Sequence, residues 1–140
     1  MKAAKIVGIA CLVYIGIVVL FESMLGHFQP ANQTTIVITT SDLDGTTHDR
    51  VVTRLESDGR LYIAANHWPR AWYRRILENP KVGVTLDAAK DPYLAVPVTG
   101  GEHDRVESDN GVGLAFRFLT GFPPRVFVRL DPLPLPANET

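Results

Sequence analysis

The sequence predicts a mainly β protein with one or two short helices, a small antiparallel barrel preceded by an N-terminal transmembrane helix. Three observations lead there. Ile6–Phe21 is an apolar run without a charge. Five or six short β-branched or alternating segments follow, separated by turn residues. One segment with helical periodicity sits among them, opened by Pro69 and closed by Asn79-Pro80.

The chain has 140 residues, 46% hydrophobic and 21% charged, with a formal net charge of -1. That length suits one domain, and the charge balance suits neither a disordered tail nor a nucleic-acid binder. No nucleic-acid partner is therefore expected. Ile6–Phe21 alone gives roughly 24 Å of helix, and Ala3, Ala4, Met24 and Leu25 extend it toward the roughly 30 Å of a hydrocarbon core. A signal peptide competes, but FESMLGH lacks a small-x-small cleavage pattern, which favours an uncleaved anchor in the cell membrane. Lys2 and Lys5 favour a cytoplasmic N-terminus, since the next Lys or Arg after the run is Arg50. Cys11, the single cysteine, excludes an internal disulfide and a cysteine metal cluster, and no metal site is expected.

The organisation read from the chain is an anchor over 1–26, a linker over 27–33 with Pro30 and Asn32, a barrel domain over 34–131 and a Pro-rich tail over 132–140. Thr34–Thr40 is β-branched throughout and reads as a strand. Asp42–Thr47 is turn chemistry around Gly45. Arg50–Glu56 and Arg60–Ala65 flank Ser57-Asp58-Gly59, a strong hairpin signal. Val82–Leu86 and Tyr93–Val98 are further strands, the latter placed at an edge by Pro97. Asn110–Leu119 reads as a short helix and Arg125–Leu130 as the last strand. A sheet this short removes its exposed edges by closing.

The candidate site lies on the central helix. On a wheel of about 100° per residue, Trp72, Ile76, Tyr73 and Leu77 form one arc, Arg70 and Arg74 lie beside it, and Arg75 turns away. The arc packs on the barrel. From His67 to Lys81 four Lys or Arg side chains face Glu78 alone, near a helix N-terminus that already favours anions. Arg50 begins the preceding strand and points toward the same end. Guanidinium groups bind phosphate bidentately and indoles stack on flat rings, so a phosphorylated, ring-bearing cofactor satisfies both features.

The text DG-R-LYIAAN, then P-x-A-W-Y, then L-x-NP-x-V (Pro69, Ala71, Trp72, Tyr73, Leu77, Asn79, Pro80, Val82) resembles the deazaflavin (F-420)-dependent nitroreductase family. That family belongs to the split β-barrel group related to pyridoxamine phosphate oxidase and FMN-binding proteins. The likeness covers about Gly45–Leu86, with a weaker echo in Pro124–Pro132. It implies a split barrel with coenzyme F-420, or FMN, held between sheet and helix. Carried over by position, Arg50 contacts the cofactor's phosphate or acidic tail, Asn66 and His67 lie beside phosphate and ring, and Trp72 walls the pocket. Asn66 reads equally well as a helix cap and His67 as a solvent-facing strand end. The turn SDLDGTTHD keeps Gly45 but is acidic where the family is basic, and Arg75 stands where the family often has Asn. The stretch after Val98 is shorter than in the family and offers Phe116, Phe118 and Phe122 in place of pocket tyrosines.

Three functions follow. The first is a membrane-anchored oxidoreductase passing hydride from a reduced deazaflavin or flavin to a lipophilic planar acceptor, a quinone or a nitroaromatic. The cofactor carries that reactivity, so no catalytic side chain is assigned. The second is a non-catalytic split barrel holding a flavin, haem or lipophile at the membrane. The third is a tethered interaction domain whose Arg70, Arg74 and Arg75 meet anionic lipid. Split barrels often pair two chains, so a homodimer accords with the resemblance. The N-terminal lysines place the domain outside the cytoplasm, whereas reduced deazaflavin pools are inside; the face stays open.

Overall fold

The computed structural model describes residues 1–27, 35–65, 71–122 and 124–135. Its order is α1 (Lys2–His27), β1 (Thr35–Ser41), β2 (Thr47–Ser57), β3 (Arg60–Ala65), α2 (Ala71–Glu78), β4 (Lys81–Leu86), β5 (Ala89–Pro97), α3 (Gly100–Asp109), α4 (Leu114–Leu119) and β6 (Val126–Pro132).

α1 is apolar around its circumference and exposes Ile6, Leu12, Val19 and Leu20. Its Lys2–Met24 stretch of 23 residues is long and apolar enough to cross a membrane, and the same features suit a signal sequence. Uniform apolarity separates it from α2, which buries the single stripe of Trp72 and Ile76.

The six strands close into an antiparallel barrel in the order β1-β2-β3-β6-β5-β4. Ser57 pairs with Arg60, and between them Asp58 (φ 51°) and Gly59 (φ 69°) both take left-handed backbone, the type I′ turn expected of Asp-Gly. The β1–β2 turn forms as its residues predict: Gly45 N–H donates to the Asp42 carbonyl at 3.0 Å, and Thr46 N–H to Asp44 Oδ1 at 2.9 Å. The last seam joins β1 to β4 from Val37–Thr85 to Thr39–Gly83.

β5 is not an edge strand. It lies between β4 and β6 in the closed barrel, and backbone parity explains how Pro97 is accommodated. Ala95 N–H donates to the Pro80 carbonyl at 2.8 Å, so odd residues face β4; Val98 N–H donates to Phe127 at 3.0 Å, so even residues face β6. Pro97 therefore turns its missing N–H toward β4. That strand has already ended, because its first residue Lys81 pairs with Leu94. No ladder bond is lost.

The interior holds Ile36, Ile38, Val52, Ile63, Val82, Val84, Ala95, Val128 and Leu130, with Trp72 and Ile76 of α2 plugging one end. A second cluster lies on the outer face, where Val106 of α3 covers Tyr62, Ala64, Val98 and Phe127. The helix expected over Asn110–Leu119 starts at Leu114, and α3 precedes it. Val106 is the one buried residue of α3, so its sequence carries almost no apolar periodicity. Polar clamps hold it instead. Tyr62 donates to Glu102 at 2.8 Å, Arg129 reaches both Glu102 oxygens at 2.9 and 3.0 Å, and Ser57 donates to Asp109 at 2.6 Å.

Candidate functional site

The plugged end of the barrel is also where a cleft opens. β1 and β2 pair in the register Thr40–His48 and Ile38–Arg50. Directly paired residues share a face, so Thr40, His48 and Arg50 continue the inward face of Ile38 past the end of the packed core. α2 lies across that face. The cleft between them has a volume of about 370 Å³ and is lined by Thr40, His48, Asp49, Arg50, Ala71, Trp72 and Arg75.

Each wall follows from local sequence. Trp72 and Ile76 stand one turn apart and are buried at 6% and 1% exposure, which fixes the rotation of α2. Asn79 N–H closes the helix on the Arg75 carbonyl at 2.7 Å, and the Pro80 carbonyl then joins the sheet through Ala95. Tyr73 stacks edge-on against Trp72, with centroids 6.0 Å apart, and packs against the interior from the side.

The β1–β2 turn is tied to α2 by one carboxylate. Asp42 Oδ1 accepts from Arg75 Nε at 2.8 Å, and Oδ2 lies 2.7 Å from His48 Nε2. Hydrogen bonds from His48 and then Arg75 hold the Asp42 carboxyl below the ordinary aspartate range. Among the described contacts Arg75 gives Asp42 only its Nε–H. Arg50 is half-buried, and no hydrogen bond or ion pair among the described residues engages its guanidinium. Asp49, on the opposite face of β2, accepts from the Thr39 hydroxyl. The cleft thus offers two cations beside an indole wall, one paired with a carboxylate and one without a partner among the described residues.

Of the residues assigned to cofactor binding from sequence, the structure brings Arg50 and Trp72 together in this cleft. Asn66, His67 and Arg70 lie outside the described residues. Arg74 is exposed and does not line the cleft; Arg75 does. The reversal has a simple cause. Counting Leu77 in the buried arc shifts the centre of the arc toward Tyr73, yet Leu77 is 56% exposed. With the arc centred on Trp72 and Ile76, Arg75 flanks it and Arg74 stands opposite. The sequence marks Thr40, Asp42 and His48 as strand and turn residues and not as site residues. The hairpin register around the Gly45 turn was their one available signal.

A family model described as F420H(2)-dependent quinone reductase matches residues 18–109, well over half of the chain. Comparison with curated proteins returns no match. Among solved structures, HutZ, the heme storage protein from Vibrio cholerae, aligns with a TM-score of 0.58 at 16% identity, covering 74% of this chain and 84% of its own. The F420-H2 dependent reductase FDR-A aligns at 0.55 and 19% identity, covering 73% of this chain and 98% of its own. A pyridoxamine 5'-phosphate oxidase-like protein from Listeria innocua aligns at 0.50 and 18% identity, with 87% and 94% covered. At such identities these likenesses establish the split-barrel fold.

Proposed function

Since the chain belongs to the F420H(2)-dependent quinone reductase family, we propose that the α2 cleft holds reduced coenzyme F-420 and that a quinone-like acceptor is reduced there. Family membership makes the chain a deazaflavin-dependent oxidoreductase; the site, the acceptor and the membrane anchor belong to this reading.

One observation carries it: Arg50, Arg75 and the buried Trp72 share a single cleft of about 370 Å³, within the range of cofactor sites. Its donor set suits an anionic heterocycle. Arg50 has guanidinium donors for a phosphate or carboxylate, Arg75 adds its terminal nitrogens, and Thr40 adds a hydroxyl. Trp72 gives a rigid apolar wall against which a flat ring lies.

Reduced coenzyme F-420 held here would supply hydride chemistry, and a quinone taking up that hydride and a proton from water would become its quinol. The chain's own work is positional. Arg50 and Arg75 fix the anionic end, and Trp72 limits how the ring sits and keeps water from one of its faces. Asp42 holds Arg75 and the β1–β2 turn in register with α2. α1, as an anchor, keeps the cleft near a lipid-soluble acceptor.

FMN suits the same donors, since it too joins a phosphate to a flat ring, and a nitroaromatic is a flat acceptor like a quinone. Mixing detergent-solubilised protein with reduced F-420 and menadione tests the reading. Expected is the return of the oxidised deazaflavin's visible absorption at a rate proportional to protein. No change over the protein-free rate, with F-420 and with FMN alike, leaves the non-catalytic binder.

A further inference from the structure

α4 packs against α1 at Tyr14 and Phe21. The Tyr14 and Phe118 rings lie 4.8 Å apart, Phe21 and Phe116 6.1 Å apart, and the Tyr14 hydroxyl donates to the Phe118 carbonyl at 2.8 Å. α4 and the turn after it present an apolar face: Leu114, Phe118 and Phe122 are 74%, 51% and 55% exposed, with Ala115 and Leu119 between them. Its polar groups turn the other way. The Arg117 guanidinium lies 3.7 Å from Glu107 of α3, and the Thr120 hydroxyl bonds back to the Phe116 carbonyl at 3.0 Å.

We propose that this face of α4 inserts into the acyl layer of the bilayer that α1 enters, giving the barrel a second membrane contact. The inference rests on the reading of α1 as a membrane anchor. The occupant is identified by continuity, because the α4 face runs directly into the exposed apolar surface of α1 through two aromatic contacts. Hydrogen bonding points the same way. A tyrosine hydroxyl inside an apolar span lacks water as a partner in hydrocarbon, and here it donates to the Phe118 carbonyl. Glu22, the first charged residue after the apolar run, adjoins Phe21, so the Phe21–Phe116 contact sets α4 near the polar end of the span, where interfacial helices lie.

The test uses the full chain in phosphatidylcholine vesicles with and without brominated acyl chains. Leu12→Trp reports on α1; Phe118→Trp and, separately, Phe122→Trp report on α4, each read as added fluorescence over the parent with its two native tryptophans. The inference expects all three probes to emit at short wavelength and to lose most of the added signal in brominated vesicles. Quenching at position 12 with unquenched, long-wavelength emission at 118 and 122 overturns it while leaving the anchor intact. Short-wavelength emission at 118 and 122 that bromine does not quench also overturns it, in favour of a second copy of the chain covering α4. An unquenched probe at position 12 overturns both the anchor and the insertion of α4.

Discussion

Asp42 is the residue on which the geometry of the cleft turns. It is the shared acceptor for Arg75 and His48, and its carboxyl is held below the ordinary aspartate range by those bonds. A carboxyl whose folded pKa is depressed contributes stability above the unfolded value and loses it as pH falls through the folded one. Asp42→Asn is therefore expected to melt below the parent at neutral pH, and the gap is expected to close under acid. A gap that persists after Asp42 protonates would mean that the carboxylate charge is not what joins turn to helix. Trp72 has a different role, mostly packing. Its replacement by Ala is expected to cost about 3–5 kcal/mol of stability, read by denaturant unfolding; a loss below about 1 kcal/mol would mean that α2 is not held by its indole. At this scale the sequence was half legible. Trp72 and Arg50 could be read from residue type and position. Arg75 could not, because an exposed Leu77 falsely widened the apolar arc of α2.

Elements were easier to read than residues wherever their chemistry was local. β3 runs from Arg60 to Ala65 as expected, because Asp58-Gly59 sets its hairpin and hence its start. β4 and β5 meet in another turn of the same kind, with Asp87 and Ala88 at φ 47° and 69°. Nothing in Asp-Ala announces it, so β5 begins at Ala89, ahead of the expected Tyr93. An alanine in left-handed backbone costs about 1–2 kcal/mol, partly offset in glycine by the greater freedom of its unfolded chain. Ala88→Gly is thus expected to stabilise the barrel by roughly 1 kcal/mol, measured as a shift in denaturant midpoint; a destabilised variant would refute the turn. α3 was hidden for the opposite reason, since polar clamps replace an apolar stripe. Arg129 and then Tyr62 hold the Glu102 carboxyl low, so the support it gives α3 is present at neutral pH and lost in acid. Burial and then Glu102 push the Tyr62 phenol up.

In the whole molecule, barrel closure does what no single element can. It leaves α2 to seal one end, and the register of β1 and β2 brings Thr40, His48 and Arg50 beneath that seal. The sequence conveyed the barrel through strand count and the family through the text around α2, both of which are local patterns. It did not convey the Asp42–Arg75 tie across 33 residues of chain, because such a pair exists only once the barrel has closed. Titration of the full-length, detergent-solubilised protein with coenzyme F-420, repeated with Arg50→Ala and with Arg75→Ala, tests the site most directly. Saturable binding by the parent is predicted, weakened in each variant by about 1.5–3 kcal/mol while both still melt cooperatively. Unchanged affinity in the two folded variants would contradict the placement of the coenzyme in this cleft.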